Sequence, residues 1–85
     1  MTEDIFLKNL PSIDLHGYDT ESARVATNDF IEESVIMKNK KILIVHGKGK
    51  GLVKKSVHSA LSQRKEIIKY HTDPFNDGCT IVYLK

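Results

Sequence analysis

Lys41-Ile42-Leu43-Ile44-Val45-His46-Gly47-Lys48-Gly49-Lys50-Gly51-Leu52 is the stretch that decides the fold. Its first half is a continuous aliphatic run rich in β-branched residues, the pattern of a strand covered over most of its surface. Its second half alternates three glycines with two lysines. It then gives way to Leu52, Val53, Ser56, Val57, Ala60 and Leu61, spaced as one face of a helix ending near Gln63 or Arg64.

The same grammar appears upstream. Ile13 and Leu15 alternate with Asp14 and His16, which predicts a short strand over 12–15 that Gly17 ends. Asp19 is placed to cap a helix over 20–38, with Ala23, Thr27, Phe30, Ile31 and Ser34 on its inner face and Asn39 as the stop. Downstream, 67–72 reads as a third strand, Asp73-Pro74-Phe75-Asn76-Asp77-Gly78 as a turn and 79–84 as a fourth strand. The order is β-α-β-α-β-β. Right-handed crossovers make the first three strands parallel, and the final turn makes the fourth antiparallel. With both helices on one face, the expected architecture is an α/β two-layer sandwich on a four-stranded mixed sheet. Residues 1–11 form an N-terminal extension, with Ile5, Phe6, Leu7 and Leu10 expected to pack back as a strap, and 12–85 form the domain.

At 85 residues the chain holds one modest core. Its longest apolar stretch, residues 42–45, is far too short to cross a membrane, so no membrane partner is expected. Glu3 and Asp4, where a secretory leader would be basic, and the lone Cys79 fit a reducing cytoplasm. One cysteine also excludes a zinc knuckle on ligand count, and Cys79 reads as a small buried strand residue. The net charge of +2 conceals a segregation. Residues 1–33 carry Glu3, Asp4, Asp14, Asp19, Glu21, Asp29, Glu32 and Glu33 against Lys8 and Arg24. Residues 34–65 carry no acid but Lys38, Lys40, Lys41, Lys48, Lys50, Lys54, Lys55, Arg64 and Lys65. A basic region of this kind is the footprint of a polyanion partner or, equally, a solvated surface.

Parallel strands would bring three loops, 14–19, 46–51 and 71–78, to one sheet edge, where open α/β sheets place their ligands. Asp14 and His16, two apart, share a side of their strand. The carboxylate can fix the imidazole's tautomer and raise its pKa, or Asp14 can cap an amide while His16 merely packs. The glycine loop before a helix offers unpaired N–H groups to an anion, and Lys48 and Lys50 add charge. Lys54 and Lys55 sit where they oppose the helix dipole, which makes sense if phosphate is the missing counter-charge. Gly49-Lys50 is followed by Gly51 instead of Ser or Thr, and position 52 is leucine, so neither a nucleoside-triphosphate loop nor a dinucleotide fingerprint is present. His58 falls outside the apolar stripe and reads as solvated, and His71 is a secondary candidate for the edge. Tyr18 and Phe75 occupy edge loops, where a ring either stacks on a base or plugs its own loop.

Ile13-Asp14-Leu15-His16-Gly17, Ile44-Val45-His46-Gly47-Lys48-Gly49 and Gly78-Cys79-Thr80-Ile81-Val82-Tyr83-Leu84, in this order and spacing, resemble the small MutS-related (Smr) domain over about residues 12–84. The resemblance implies a fold like the C-terminal domain of bacterial translation initiation factor three, with strand order 1-2-4-3. It implies an endonuclease that nicks DNA or cleaves RNA, or alternatively a binding module for DNA, RNA or ribosomes. Such domains stand alone or are appended to MutS-like proteins that act on branched recombination intermediates in DNA repair or on stalled ribosomes. By this resemblance Asp14, His16 and His46 are the catalytic set. Gly17, Gly47, Lys48, Gly49, Lys50, Gly51 and Lys54 hold phosphate, with Lys50 a departure from the small or hydroxyl residue usual in the family. On RNA the 2′-hydroxyl can be the nucleophile, so no cofactor is expected. On DNA an activated water on a magnesium or manganese ion near Asp14 would be needed. The expected assembly is a monomer or weak dimer.

Overall fold

The computed structural model describes residues 10–49 and 51–85. The expected strap over Ile5, Phe6 and Leu7, and the placement of Lys50, lie outside them. The elements are β1 (Ser12–Asp14), α1 (Thr20–Ile36), β2 (Lys41–Val45), α2 (Leu52–Ser62), β3 (Ile67–Asp73) and β4 (Asn76–Leu84). The sheet order is β1-β2-β4-β3. β1 runs parallel to β2, and β4 runs antiparallel to both β2 and β3. This is the expected two-layer α/β sandwich.

The core lies between the helices and one face of the sheet. Leu15, Ile42, Ile44 and Val82 meet Ala23 and Ile31 of α1 and Val57 and Leu61 of α2. The aliphatic run of β2 is thus less evenly covered than its composition suggests. Ile42 and Ile44 are buried, while Lys41, Leu43 and Val45 keep partial access on the helix-free face. Small residues, Ala23, Thr27 and Ser34, let α1 lie close to its neighbours. The hydroxyls of Thr27 and Ser34 have no partner among the described residues.

α1 stops two residues earlier than the sequence suggests. Lys38, not Asn39, takes the left-handed position at φ 62°. The N–H of Lys38 returns to the carbonyl of Val35 and that of Asn39 to Ser34, the paired bonds of a Schellman stop. Arg64, counted with the basic surface, is instead mostly buried between α1 and β3. It donates to Glu32 at 3.0 Å, to Asn28 at 3.2 Å and to Glu66 at 3.3 Å, so little of its charge is left for a partner. The turn after β3 is also shorter than expected. Asp73 pairs directly with Asn76 across Pro74 and Phe75, because Asp73 Oδ1 accepts the Phe75 N–H at 2.9 Å.

Candidate functional site

Three chain segments converge at the carboxyl ends of β1 and β2 and the start of β4. They surround an open cavity of about 880 Å³ lined by His16, Tyr18, His46, Lys48, Leu52 and Lys54, with Gly17, Gly47, Gly49, Gly51, Asn76 and Gly78 supplying backbone walls. The two histidine motifs touch at Gly47. A Cβ built there would lie 3.2 Å from His16 Cβ, and the backbone φ is 85°, so glycine permits both the turn and the approach. The carbonyl of Gly78 ties the loop down by accepting the N–H groups of His46 and Gly47, each at 2.9 Å.

Asp14 and His16 form the expected pair. His16 Nδ1 lies 2.7 Å from Asp14 Oδ1, and the same oxygen accepts the His16 backbone N–H at 3.1 Å. Both side chains are exposed. The hydrogen bond that His16 Nδ1–H donates to the carboxylate holds the imidazole pKa above its ordinary value and the Asp14 carboxyl below its own. With Nδ1 bound to Asp14, Nε2 of His16 is the atom left to exchange a proton with a ligand.

His46 does not share that exposure. It continues the alternation of Ile42 and Ile44, so its ring turns to the helix side and is only 3% exposed. Nδ1 lies 3.0 Å from the Gly47 carbonyl, and Nε2 lies 2.8 Å from Thr80 Oγ1. His58 Nε2 lies 2.8 Å from the same hydroxyl. His58 is therefore not the solvated surface residue its position suggests. It is half-buried, with its ring 5.0 Å from Tyr70 and 6.0 Å from His46. A carbonyl only accepts, so His46 carries its proton on Nδ1 and its Nε2 accepts from the Thr80 hydroxyl, whose oxygen accepts in turn from His58 Nε2–H. Burial lowers both imidazole pKa values, with the Lys54 charge adding to the effect. Thr80 is the site residue sequence reasoning missed. Its signal was its parity with Val82 and Leu84, which puts a hydroxyl on the core face of an apolar strand.

The glycine loop has the features of an anion cradle. α2 begins at Gly51 in the left-handed conformation, with no side-chain cap and no acid in its first turn. Lys54 faces the cavity. Lys48 also lines it but leans toward Asp77 at 3.7 Å, so it is partly neutralised. Lys55 is not part of the lining. His71 does not reach the edge. Its exposed ring lies 5.8 Å from Tyr83 on the helix-free face. Cys79 is buried, as expected, and burial raises its thiol pKa. No helix among the described residues is long and apolar enough to cross a membrane.

A family model described as Smr domain matches residues 13–85. The chain is 36% identical over 76 residues to an endonuclease MutS2 of Finegoldia magna and 30% identical over 76 residues to that of Clostridium tetani. Each match covers 86% of this chain and 10% of the relative, so the chain spans about a tenth of these proteins' length. Among solved structures, the Smr domain of Thermus thermophilus MutS2 superposes with a TM-score of 0.85 at 24% identity, over 89% of this chain and 99% of that one. YdaL, a stand-alone small MutS-related protein from Escherichia coli, gives 0.82 at 24% identity, over 87% and 63%.

Proposed function

The chain belongs to the Smr domain family, and we propose that it is a nucleic-acid endonuclease whose residues are best suited to RNA. The observation that carries this reading is the exposed Asp14–His16 pair seated against Gly47, at the mouth of an uncapped helix terminus. A scissile phosphate would rest on the amides of the loop that follow Gly47, up to Gly51 at the start of α2, with Lys48, Lys50 and Lys54 offsetting its charge. Gly17 keeps the wall opposite the loop free of side chain. His16 Nε2 would take the proton of the neighbouring 2′-hydroxyl as its oxygen attacks phosphorus. The 2′-O–P bond forms, the bond to the 5′-oxygen breaks, and that oxygen leaves with a proton from solvent, giving a cyclic phosphate end. His46, with both ring nitrogens engaged, holds the loop to β4 through Thr80 in this scheme instead of giving up a proton.

A magnesium or manganese ion fits these residues poorly. Among the described residues no group of three or more His, Cys, Asp or Glu side chains gathers, and Asp14 is engaged by His16. No step is therefore routed through a metal. The test is product-end analysis of a single-stranded RNA in the presence of EDTA. Cyclic phosphate ends at an undiminished rate are expected, and cleavage abolished by the chelator would sink the metal-free route.

The proton role has its own signature. A base works only when neutral, so the rate should rise with pH through the elevated pKa of His16. Asp14→Asn removes the carboxylate that raises it. The ascending limb should then move to lower pH, with a reduced plateau because the tautomer is held less firmly. A limb that stays in place would assign the titration to another group. One observation favours a second reading, binding without cleavage. The inward turn of His46 leaves the edge with a single available histidine and no paired acid. DNA, RNA or a ribosome would then be held in the same cradle.

A further inference from the structure

Each loop at the site edge presents an apolar side chain to solvent. Tyr18, after β1, is 44% exposed, and Leu52, after β2, is 59% exposed; both line the cavity. Phe75, in the turn joining β3 to β4, is 95% exposed, and its chain neighbour Asn76 lines the same cavity. Exposure this complete means Phe75 adds almost nothing to the core. A phenylalanine gains its folding contribution only by leaving water. Its backbone is nevertheless tied into the turn. Asp73 Oδ1 holds its N–H at 2.9 Å, and Asn76 Oδ1 accepts the Gly78 N–H at 3.0 Å just beyond. The ring is therefore not a plug for its own loop. It stands on a hydrogen-bonded two-residue turn, facing water.

A bare phosphate explains the amides and lysines but none of these apolar groups, and a cavity of about 880 Å³ is far larger than a phosphate needs. A nucleotide with its base uses both. Resting on the nuclease reading above, we propose that Phe75 and Tyr18 are base-stacking platforms that select unpaired nucleotides beside the bound phosphate. In a duplex the base faces are covered by their neighbours. A single strand, a flap or an extruded base offers a free π-face. The occupant is thus single-stranded nucleic acid, with its backbone on the glycine loop and bases against the two rings.

The experiment compares parent protein, Phe75→Ala and Phe75→Trp by fluorescence anisotropy. The probes are a short labelled mixed-sequence single strand and the matching duplex, as RNA and as DNA, across a salt series. The parent should prefer the single strand. Phe75→Ala should weaken that binding about 5- to 150-fold, the worth of one stacked base, and leave duplex binding unchanged. Its log–log salt slope should match the parent's, because no phosphate contact is lost. Phe75→Trp should restore affinity. The melting temperature should not move, so lost binding cannot be ascribed to unfolding. A parent that binds duplex as well as single strand, or an alanine variant indistinguishable from the parent, would overturn the proposal. A parent that binds neither probe even at low salt would overturn the nucleic-acid reading itself, which separates the two failures.

Discussion

Substituting His16 by alanine is expected to slow cleavage by about 10²–10⁴-fold, the usual contribution of a positioned general base. Affinity for the substrate should change little, because the proposed phosphate ligands are backbone amides and lysines, none of them on His16. The expected split, with kcat lost and binding kept, follows from where the ring sits. It is exposed, bound to Asp14 by one nitrogen and, among the described residues, without a partner at the other. No buried packing depends on it, so the variant should melt with the parent. Single-turnover cleavage beside equilibrium binding makes the measurement. An alanine variant that still cuts at the parental rate would remove His16 from the chemistry. A parent that binds but never cuts would leave the cradle as a docking site.

The second large effect is on stability. Thr80→Val keeps the shape of the side chain but deletes the hydroxyl that two imidazole nitrogens share at 2.8 Å. The His46 ring is almost entirely enclosed, so water cannot replace the missing partner. Each ring nitrogen left without one costs about 1–3 kcal/mol, and because the half-buried His58 can turn to water the pair should lower the unfolding free energy by about 2–4 kcal/mol. Thr80→Ser, which keeps the hydroxyl, should lose less than half as much. Denaturant unfolding gives the comparison, and nitrogen-15 spectra of the histidines add a reading that packing alone would not change. The tautomer signal of His58 should collapse toward a mixed population in the valine variant and persist in the serine variant, while His46, whose Nδ1 proton the Gly47 carbonyl holds, keeps its own in both. Equal losses in the two variants would mean that the hydroxyl bridges nothing.

Much of this molecule was legible from periodicity. The elements, the strand directions and the face covered by helices follow from where Ile13, Leu15, Ile42 and Ile44 alternate and where Val57, Ala60 and Leu61 recur. The central place of β4 did not follow from the residues, since a hairpin does not say on which side of its partner it will pair; that came from resemblance to a known domain. The Asp14–His16 pair was legible because two residues apart on a strand means one side. The same parity rule, carried one step past Val45, turns His46 inward, yet its glycine neighbours read as an exposed loop. His58 and Thr80 were hidden for a related reason. Each looks ordinary in its own element, and only the stacking of α2 on β4 brings them together. Phe75 was ambiguous because Pro74 and Asp73 suit a long loop as well as the two-residue turn that leaves the ring in water.

The order of strands also bears on when this edge of the sheet can first close. Synthesis proceeds from the amino end, but the strand made last, β4, lies in the middle of the sheet and contributes Gly78 and Thr80, which fasten the glycine loop from below. Until that strand has cleared the ribosome, β2 and β3 have nothing between them and His46 has no hydroxyl to meet. A nascent chain therefore carries both histidine motifs before the glycine loop has its anchor on β4.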